Sequence, residues 1–302
     1  MKIKVITSYK PGTWDLYSGR GIKSIAEQWP IETDLVVYLE EPKPNYDHPR
    51  IQWVDLNSAE PELFKFKNKH KNDPVACGEL QEIAGGVKRS AALQQQGGQD
   101  KNKGSFLWDA VRFSNKVFCV INAVRNSPNY DYVLWIDADT FTFRPIPLNF
   151  LETLLPQDTM LTFLGRERHA LEDGGKYPEC GFVGYNLQHP NTQEFVAEWE
   201  KLYITDQVFQ LLEWHDSFVF WHLARKFQEK YNIKVNDIGY GKNVKGHHVF
   251  VNSELGLYMD HMKGKRKKIG SSSKADLRQP MKDAPANVWD IDYWKKVPGT
   301  LK

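Results

Sequence analysis

The 302-residue sequence predicts an α/β fold in which helices flank a mixed, mostly parallel central sheet. Short β-branched and aromatic runs alternate with longer segments of helical periodicity, and the first 56 residues read β-α-β. The apolar run 132–136 carries no charge and ends directly in two aspartates. Ligands of open α/β sheets gather at the carboxyl ends of such buried strands, so this run indicates both the fold and a site.

The elements follow in order along the chain. Apolar runs predict strands at 3–9, 33–39, 51–56, 132–136 and 160–165, and another strand after a glycine loop within 179–186. Helical periodicity predicts helices at 21–29, 105–124 and 193–202, and from about 216 to 230. Residues 1–270 are therefore expected to form one domain.

Residues 65–105 differ from the rest of that domain because they are polar and low in complexity. They are interpreted as an insertion that is helical around 79–83 and continues into a Gln/Gly/Lys loop at 94–104. This loop is either a lid or acceptor contact, or simply a solvated loop. Residues 271–302 are expected to be a tail that packs back on the domain through its aromatic residues Trp289, Tyr293 and Trp294.

Asp137 and Asp139 follow the buried strand and are close enough to share one divalent cation. Chance alone gives about one Asp-x-Asp in a chain of this length, so the spacing by itself is weak. Asp290 and Asp292 have the same spacing without an apolar strand before them, and are interpreted as a solvated pair in the tail. For the first pair, the alternative is a strand-end turn that caps the next helix.

A second motif, His261-x-x-Gly264-x-x-Lys267, has chemistry that fits the aspartate pair. An imidazole nitrogen can complete a shell begun by two carboxylates, and such a mixed N/O set suits Mn²⁺. Glycine lets the backbone approach an anion closely, and an ammonium can neutralise a phosphate oxygen. The alternative is a basic surface turn with an incidental histidine.

These motifs, in this order, resemble the metal-dependent GT-A glycosyltransferases, whose sheet is Rossmann-like. The resemblance covers about residues 1–270 and is closest to the retaining glycosyltransferase family 8, the glycogenin and lipopolysaccharide galactosyltransferase group. It implies that Asp137, Asp139 and His261 bind Mn²⁺ or Mg²⁺, and that Gly264 and Lys267 hold the diphosphate of a nucleotide sugar. The chain departs from the family at 268–270, which replace a Trp-Pro continuation, and in lacking an intact Asp-Gln-Asp motif.

The same resemblance implies where the rest of the donor lies. The end of the first strand would line the nucleotide pocket, with Tyr9 stacking on a uracil unless it packs on the next helix instead. Basic residues on the helix before the aspartates would reach the donor, or else form an exposed surface pair. The further residues assigned to the nucleotide sugar are Thr7, Ser8, Tyr9, Arg112, Lys116 and Ala138.

The sugar and the acceptor are expected between the glycine loop and a later helix start. Gly181 would admit the sugar ring, and Glu179 would accept its hydroxyl hydrogens. Asp216 either faces the reacting carbon of the sugar or is only the N-cap of its helix. Trp214 and His215 would flank the acceptor. Glu179 and Asp216 are therefore the candidate catalytic residues.

Composition agrees with a small enzyme. The net charge of +2 gives no field for nucleic acid, and the apolar runs are too short to span a membrane. Three scattered cysteines favour free thiols in a reducing compartment, hence a cytoplasmic protein.

The predicted function is transfer of a sugar, from a UDP-sugar with a metal-bound diphosphate, to a hydroxyl of a carbohydrate, lipid-linked or protein acceptor. The resemblance favours retention, while Asp216 leaves inversion open. One alternative is a sugar nucleotidyltransferase. Such an enzyme should carry a Gly-rich basic loop near its N-terminus, and only residues 10–12 and 19–21 weakly resemble such a loop here. The other is a non-catalytic carbohydrate-binding protein of the same fold.

Overall fold

The computed structural model describes residues 1–79, 82–83, 87–88, 106–166, 168–240, 248–264 and 266–272. Its central sheet has seven strands which, numbered in chain order, lie in the spatial order β10 (Val235–Asp237), β8 (Leu161–Arg166), β9 (Lys176–Asn186), β6 (Tyr132–Ile136), β1 (Ile3–Ser8), β2 (Thr33–Leu39) and β3 (Ile51–Asp55). Strand β9 runs antiparallel to β6 and β8, and every other neighbouring pair is parallel. The predicted mixed, mostly parallel sheet is confirmed.

Helices cover the sheet. They are α1 (Gly19–Gln28), α2 (Leu56–Ala59), α3 (Pro61–His70), α4 (Ala110–Arg125), α5 (Leu148–Leu154), α6 (Thr192–Ile204), α7 (Asp216–Tyr231) and α8 (Arg266–Ile269). Asp109 caps α4 by accepting a 3.0 Å hydrogen bond from the Arg112 amide, and Asn232, in the left-handed conformation, ends α7. No helix among the described residues combines the length and the apolar character needed to cross a membrane.

The two faces of the sheet bury separate apolar clusters. Along β6, Val133 and Trp135 belong to the cluster under α4, α6 and α7, whereas Leu134 and Ile136 belong to the cluster under α1 and α5. This is the alternation that strand geometry dictates. Because β6 is buried on both faces, polar groups are tolerated only where it ends, and that is where the aspartates stand.

The predicted start of the strand within 179–186 is wrong. Glu179 and Gly181 were expected in a loop before it, but β9 begins at Lys176 and contains both. Its pairing with β8 shifts register at Phe163/Leu164 and again at Leu164/Arg166. Such irregularities re-aim side chains, and here they lie beside Glu179.

The interpretation of residues 65–105 is also partly wrong. Residues 65–70 belong to α3, which buries Leu63 and Phe66 and exposes Lys65 and Lys69, so this part is an amphipathic helix of the domain. No helix forms at Glu82–Ile83; this segment (β4) pairs as a short antiparallel strand with Val87–Lys88 (β5). The Gln/Gly/Lys loop at 94–104 and the aromatic residues of the tail lie outside the described residues.

Candidate metal and donor site

A small two-stranded sheet brings the two sequence motifs together. After the aspartates the chain leaves the central sheet as β7 (Thr140–Thr142), which pairs antiparallel with β11 (Met259–His261). In this register His261 faces Thr140, and the Met262 amide donates to the Asp139 carbonyl at 2.9 Å. The histidine is thereby fixed beside the aspartates by backbone hydrogen bonds.

Helix α1 supports the turn formed by residues 137–139, here called the aspartate turn. A Cβ atom on Gly21 would lie 2.3 Å from the Ala138 carbonyl oxygen and 2.6 Å from that of Thr140. Only a residue without a side chain lets the helix approach this closely. Ala138 itself is buried, so its side chain packs inside the protein.

Asp139, His261 and Lys267 form one buried group. The His261 Nε2 atom lies 3.1 Å from Asp139 Oδ1, and the Lys267 ammonium lies 2.9 Å from Asp139 Oδ2 and 4.4 Å from the centre of the Tyr17 ring. Burial opposes ionisation of Asp139, but the charges of His261 and Lys267 outweigh it and hold the pKa of this carboxyl below its ordinary value. Asp139 is therefore a carboxylate at neutral pH.

Asp137 lies on the other side of the same histidine. Its Oδ2 atom is 3.6 Å from His261 Nε2. Its Oδ1 atom accepts a 2.6 Å hydrogen bond from the Trp135 indole and lies 3.1 Å from the Lys116 ammonium. The carboxylate is thus oriented by two neighbours while one oxygen points toward the histidine.

Glu179 completes the group, a contribution that the sequence analysis did not assign to it. It is 3% exposed, and its Oε1 atom lies 3.7 Å from His261 Nδ1 and accepts a 3.1 Å hydrogen bond from the Gly181 amide. Its Oε2 atom pairs with Lys263 at 2.7 Å and Arg166 at 3.2 Å. Burial alone would raise the pKa of Glu179, yet the charges of Lys263, His261 and Arg166 hold it well below its ordinary value.

These donors fit a divalent cation. One ligand atom from each of Asp137, Glu179 and His261 can be chosen so that all three lie within 4.8 Å of one another. That spacing approaches the span of two metal–ligand bonds of about 2 Å each. His261 Nδ1 is buried and has no hydrogen-bond partner among the described residues. A mixed set of carboxylates and one imidazole suits Mn²⁺ and similar ions. Asp139 contacts the same histidine at Nε2 but is not one of the three residues that meet this spacing, so its binding of the ion stays a prediction.

Gly181 has a different role from the expected one. A Cβ atom there would lie 2.7 Å from Cε1 and 2.9 Å from Nδ1 of His261. The space that glycine leaves is therefore filled by the histidine ring rather than by a sugar. Gly181 also accepts, through its carbonyl, a 3.0 Å hydrogen bond from the Asp137 amide. Gly181 therefore positions two members of the candidate metal-binding group, Asp137 and His261.

Lys116 connects Asp216 to this site. The N-cap of α7 is His215, and Asp216 is the first helical residue, so the N-cap alternative for Asp216 is wrong. Its Oδ2 atom lies 2.8 Å from the buried Lys116 ammonium, which also contacts Asp137 and the Cys180 carbonyl oxygen. Burial opposes the charge on Lys116, but the two aspartates outweigh it and raise the pKa of the ammonium. Lys116 is buried, so the alternative in which Arg112 and Lys116 form an exposed pair on the helix surface is wrong for Lys116. Arg112 itself is exposed.

Neither expected acceptor contact is available on the surface. Trp214 is 2% exposed, packs edge-on against Phe209 and donates its indole N–H to the Leu211 carbonyl at 3.0 Å. His215 is 3% exposed. The segment before α7 folds into the core because its aromatic side chains bury more apolar area there than at a sugar. The prediction that these residues flank the acceptor is therefore wrong.

The end of β1 is similarly enclosed. Thr7 is fully buried, and its hydroxyl has no hydrogen-bond partner among the described residues; Ser8 is half-buried. Tyr9 is 6% exposed, and its ring lies 5.7 Å from that of Trp14, in the turn that precedes α1. The alternative in which Tyr9 packs on the next helical segment matches the structure, and stacking of Tyr9 on uracil does not.

Gly264 stands at the open edge of the site. Its φ of +63° is in the left-handed region that favours glycine, and no atom lies within 4 Å of the position a Cβ would take. The backbone is therefore exposed one helical turn before Lys267. Approach of a diphosphate to this glycine stays a prediction.

Comparison with known proteins gives a resemblance in structure. No protein-family model and no curated protein matches the sequence. Among solved structures, the chain resembles mouse xyloside xylosyltransferase 1 in its apo form, with 11% sequence identity and a TM-score of 0.43 over 78% of this chain and 84% of that one.

Proposed function

We propose that this protein is a metal-dependent glycosyltransferase of the GT-A type, which moves a sugar from a nucleotide-diphosphate donor, a UDP-sugar, to an acceptor hydroxyl. The observation that carries the proposal is the convergence of Asp137, Asp139, Glu179 and His261 at the end of β6, with Lys267 beside them. Carboxylates, one imidazole and a lysine suit a cation that is itself bound to a diphosphate.

Asp137, Glu179 and His261 would hold the cation, and Asp139 would complete its shell or orient His261. When bound, a divalent ion supplies Lewis-acid stabilisation of the negative charge that develops on the departing diphosphate. Two of these side chains are already oriented by their neighbours. The Trp135 indole and Lys116 orient Asp137, and the Gly181 amide orients Glu179. Such preorganisation is what lowers an electrostatic barrier.

Lys267 and Gly264 would act on the diphosphate. The ammonium of Lys267 can turn from Asp139 to a phosphate oxygen without moving its backbone, because the side chain is long and half-buried at the edge of the site. The open backbone at Gly264 lets an anion approach. Together these residues would neutralise charge that grows as the glycosidic bond breaks.

Asp216 would act on the sugar. Its carboxylate is ionised, because the charge of Lys116 outweighs the effect of burial and holds its pKa below the ordinary value. A carboxylate here can accept hydrogen bonds from sugar hydroxyls and stabilise positive charge on the reacting carbon. The family resemblance favours retention of configuration; an inverting reaction would use Asp216 as the base for the acceptor hydroxyl.

The nucleotidyltransferase alternative is disfavoured by the geometry of its candidate loop. Gly19 and Gly21 lie in α1, where a Cβ atom would come within 2.8 Å of the Trp14 carbonyl oxygen and 2.3 Å of that of Ala138. These glycines therefore serve close packing and do not form an open loop around a triphosphate. A non-catalytic carbohydrate-binding protein stays as the second candidate.

Release of UDP from a panel of UDP-sugars, with Mn²⁺ and without acceptor, tests the proposal. A glycosyltransferase is expected to hydrolyse its own donor slowly and only with the metal. A nucleotidyltransferase would instead release no UDP and, when pyrophosphate is added, would convert the UDP-sugar to UTP and a sugar 1-phosphate. A binding protein would release nothing while still binding carbohydrate. Either of these two results would contradict the proposed function.

A further inference from the structure

A chain of buried ion pairs runs from the start of α7 to the metal-binding group. His215 Nε2 lies 2.8 Å from Glu213 Oε2, and His215 Nδ1 lies 3.9 Å from Asp216 Oδ1. Asp216 Oδ2 lies 2.8 Å from Lys116, which in turn lies 3.1 Å from Asp137. Acidic and basic groups alternate along this ion-pair chain. Asp216 therefore lies between two basic side chains, His215 and Lys116, which hold it from both sides.

Aromatic rings enclose the imidazole at the centre of the chain. The ring centres of Phe106, Phe113, Tyr177 and Phe218 lie between 5.2 and 6.5 Å from that of His215. The rings fix the plane of the imidazole and keep water away from it. His215 is thus placed to act on its neighbours and not on a substrate.

Glu213 anchors the far end. Glu213 is buried and, besides its contact with His215, accepts a hydrogen bond from the hydroxyl of Tyr177. Burial, the charge of Glu213 and this hydrogen bond raise the pKa of Tyr177 to about 12. A buried carboxylate is stable only when it is paired. The partner of Glu213 on the site side is His215, so a proton on the imidazole serves both carboxylates at once.

We propose that His215 is a positioning residue that, anchored by Glu213, fixes the orientation of Asp216 and so keeps Asp216 and Lys116 in register with the metal-binding group. Each oxygen of Asp216 faces its own cation, His215 on Oδ1 and Lys116 on Oδ2. Removing the imidazolium frees the carboxylate to rotate about its side-chain torsions, and small misplacements of a reacting group cost large factors in rate. The inference rests on the proposed function.

The charge state agrees with this role. Burial alone would lower the pKa of His215, but the nearby carboxylates of Asp216 and Glu213 outweigh burial and raise it. The imidazole is therefore expected to carry both protons at neutral pH. The ¹⁵N resonances of histidine side chains report this state directly.

The first test uses ¹⁵N-histidine NMR on the full chain at neutral pH, with the His215 signal assigned by its loss in His215→Gln. The expected result is an imidazolium for His215 in the parent and a neutral ring in Glu213→Gln. A neutral ring in the parent would overturn the proposal. This readout needs no activity and no donor.

The second test measures kcat and KM for donor hydrolysis in Glu213→Gln and His215→Gln, with His222→Gln on the same helix as the matched control. The expected result is a fall in kcat of about tenfold or more, with KM for the UDP-sugar and Mn²⁺ affinity little changed. Full kcat in both variants would overturn the positioning role. So would a lower kcat accompanied by a higher KM and a lower melting temperature. A parent with the imidazolium signal that releases no UDP would overturn the proposed function and leave the ion-pair chain standing.

Discussion

The His261 Nε2 atom lies 3.1 Å from Asp139 Oδ1, although 122 positions separate the two residues in the sequence. The contact is imposed by the backbone, since β11 pairs with β7 directly after the aspartate turn. Two motifs that are far apart in the chain thus form one group before any ligand binds. Preorganisation of this kind brings carboxylate and imidazole donors together through the backbone.

Replacing Asp139 by alanine is expected to abolish Mn²⁺-dependent nucleotide binding. The change removes one carboxylate from the group and leaves Lys267 unpaired beside His261, which repels a cation. Calorimetric titration of UDP with and without Mn²⁺ measures the effect. Asp158→Ala, which removes an exposed carboxylate paired with Lys234, is the control. Unchanged Mn²⁺-dependent binding in Asp139→Ala would show that the ion binds elsewhere.

Lys267→Ala is expected to lower turnover more than it weakens binding of the nucleotide. The reason is that the charge on the leaving diphosphate grows toward the transition state, so the ammonium contributes more there than in the ground state. Steady-state kinetics of donor hydrolysis, compared with UDP affinity, separate the two effects. The exposed Lys234→Ala is the matched control. If Lys267→Ala retained full turnover, another base of the segment, Lys265, Arg266 or Lys268, would have to contact the diphosphate.

Asp216→Asn is expected to reduce transfer by about a hundredfold or more while UDP and Mn²⁺ still bind. Asparagine keeps the shape of the side chain but cannot balance the charge of Lys116 or stabilise a positive reacting carbon. Asp173→Asn, at an exposed position paired with Arg225, is the control for the chemical change. Normal transfer by Asp216→Asn would leave Asp216 as only a structural partner of Lys116.

Gly21→Ala is expected to weaken Mn²⁺ binding and to destabilise the fold by about 1–3 kcal/mol, the usual cost of overpacking. The new methyl group would meet two backbone carbonyls of the turn that carries the aspartates, and backbone cannot give way as a side chain can. Gly12→Ala is the control, because it has positive φ but no atom within 4 Å of its Cβ position. Thermal denaturation and Mn²⁺ titration of both variants test this; equal Mn²⁺ affinity in the two would contradict it.

The sequence predicted the parts of the site that depend on local pattern. The run 132–136 is apolar on both faces, so its burial follows from composition alone. The spacing of His261, Gly264 and Lys267 likewise predicted a metal and anion site, and the structure places His261 and Lys267 beside Asp139. The two motifs were linked by their complementary chemistry and by the family resemblance, because pairing between β7 and β11 leaves no trace in such short strands.

The parts that the sequence did not predict depend on long-range packing. Pro178 favours a strand boundary at the place where β9 continues, and so Glu179 was assigned to a loop rather than to a buried strand beside His261. Trp214 and His215 have the composition of a sugar-binding surface, but neighbouring aromatic rings enclose them. His215 is covered by Tyr177, which is distant in sequence, and Trp214 by Phe209 in the short helical segment just before it.

Anomalous diffraction from crystals soaked with Mn²⁺ and UDP is the most direct test of a metal-bound donor site at the end of β6. The expected result is one manganese peak within about 2–2.5 Å of oxygen or nitrogen atoms of Asp137, His261 and Glu179 or Asp139, with the diphosphate bridging the ion and the Gly264–Lys267 segment. A manganese peak away from these side chains, or a diphosphate bound elsewhere with this group unoccupied, would contradict the proposed site and the function derived from it.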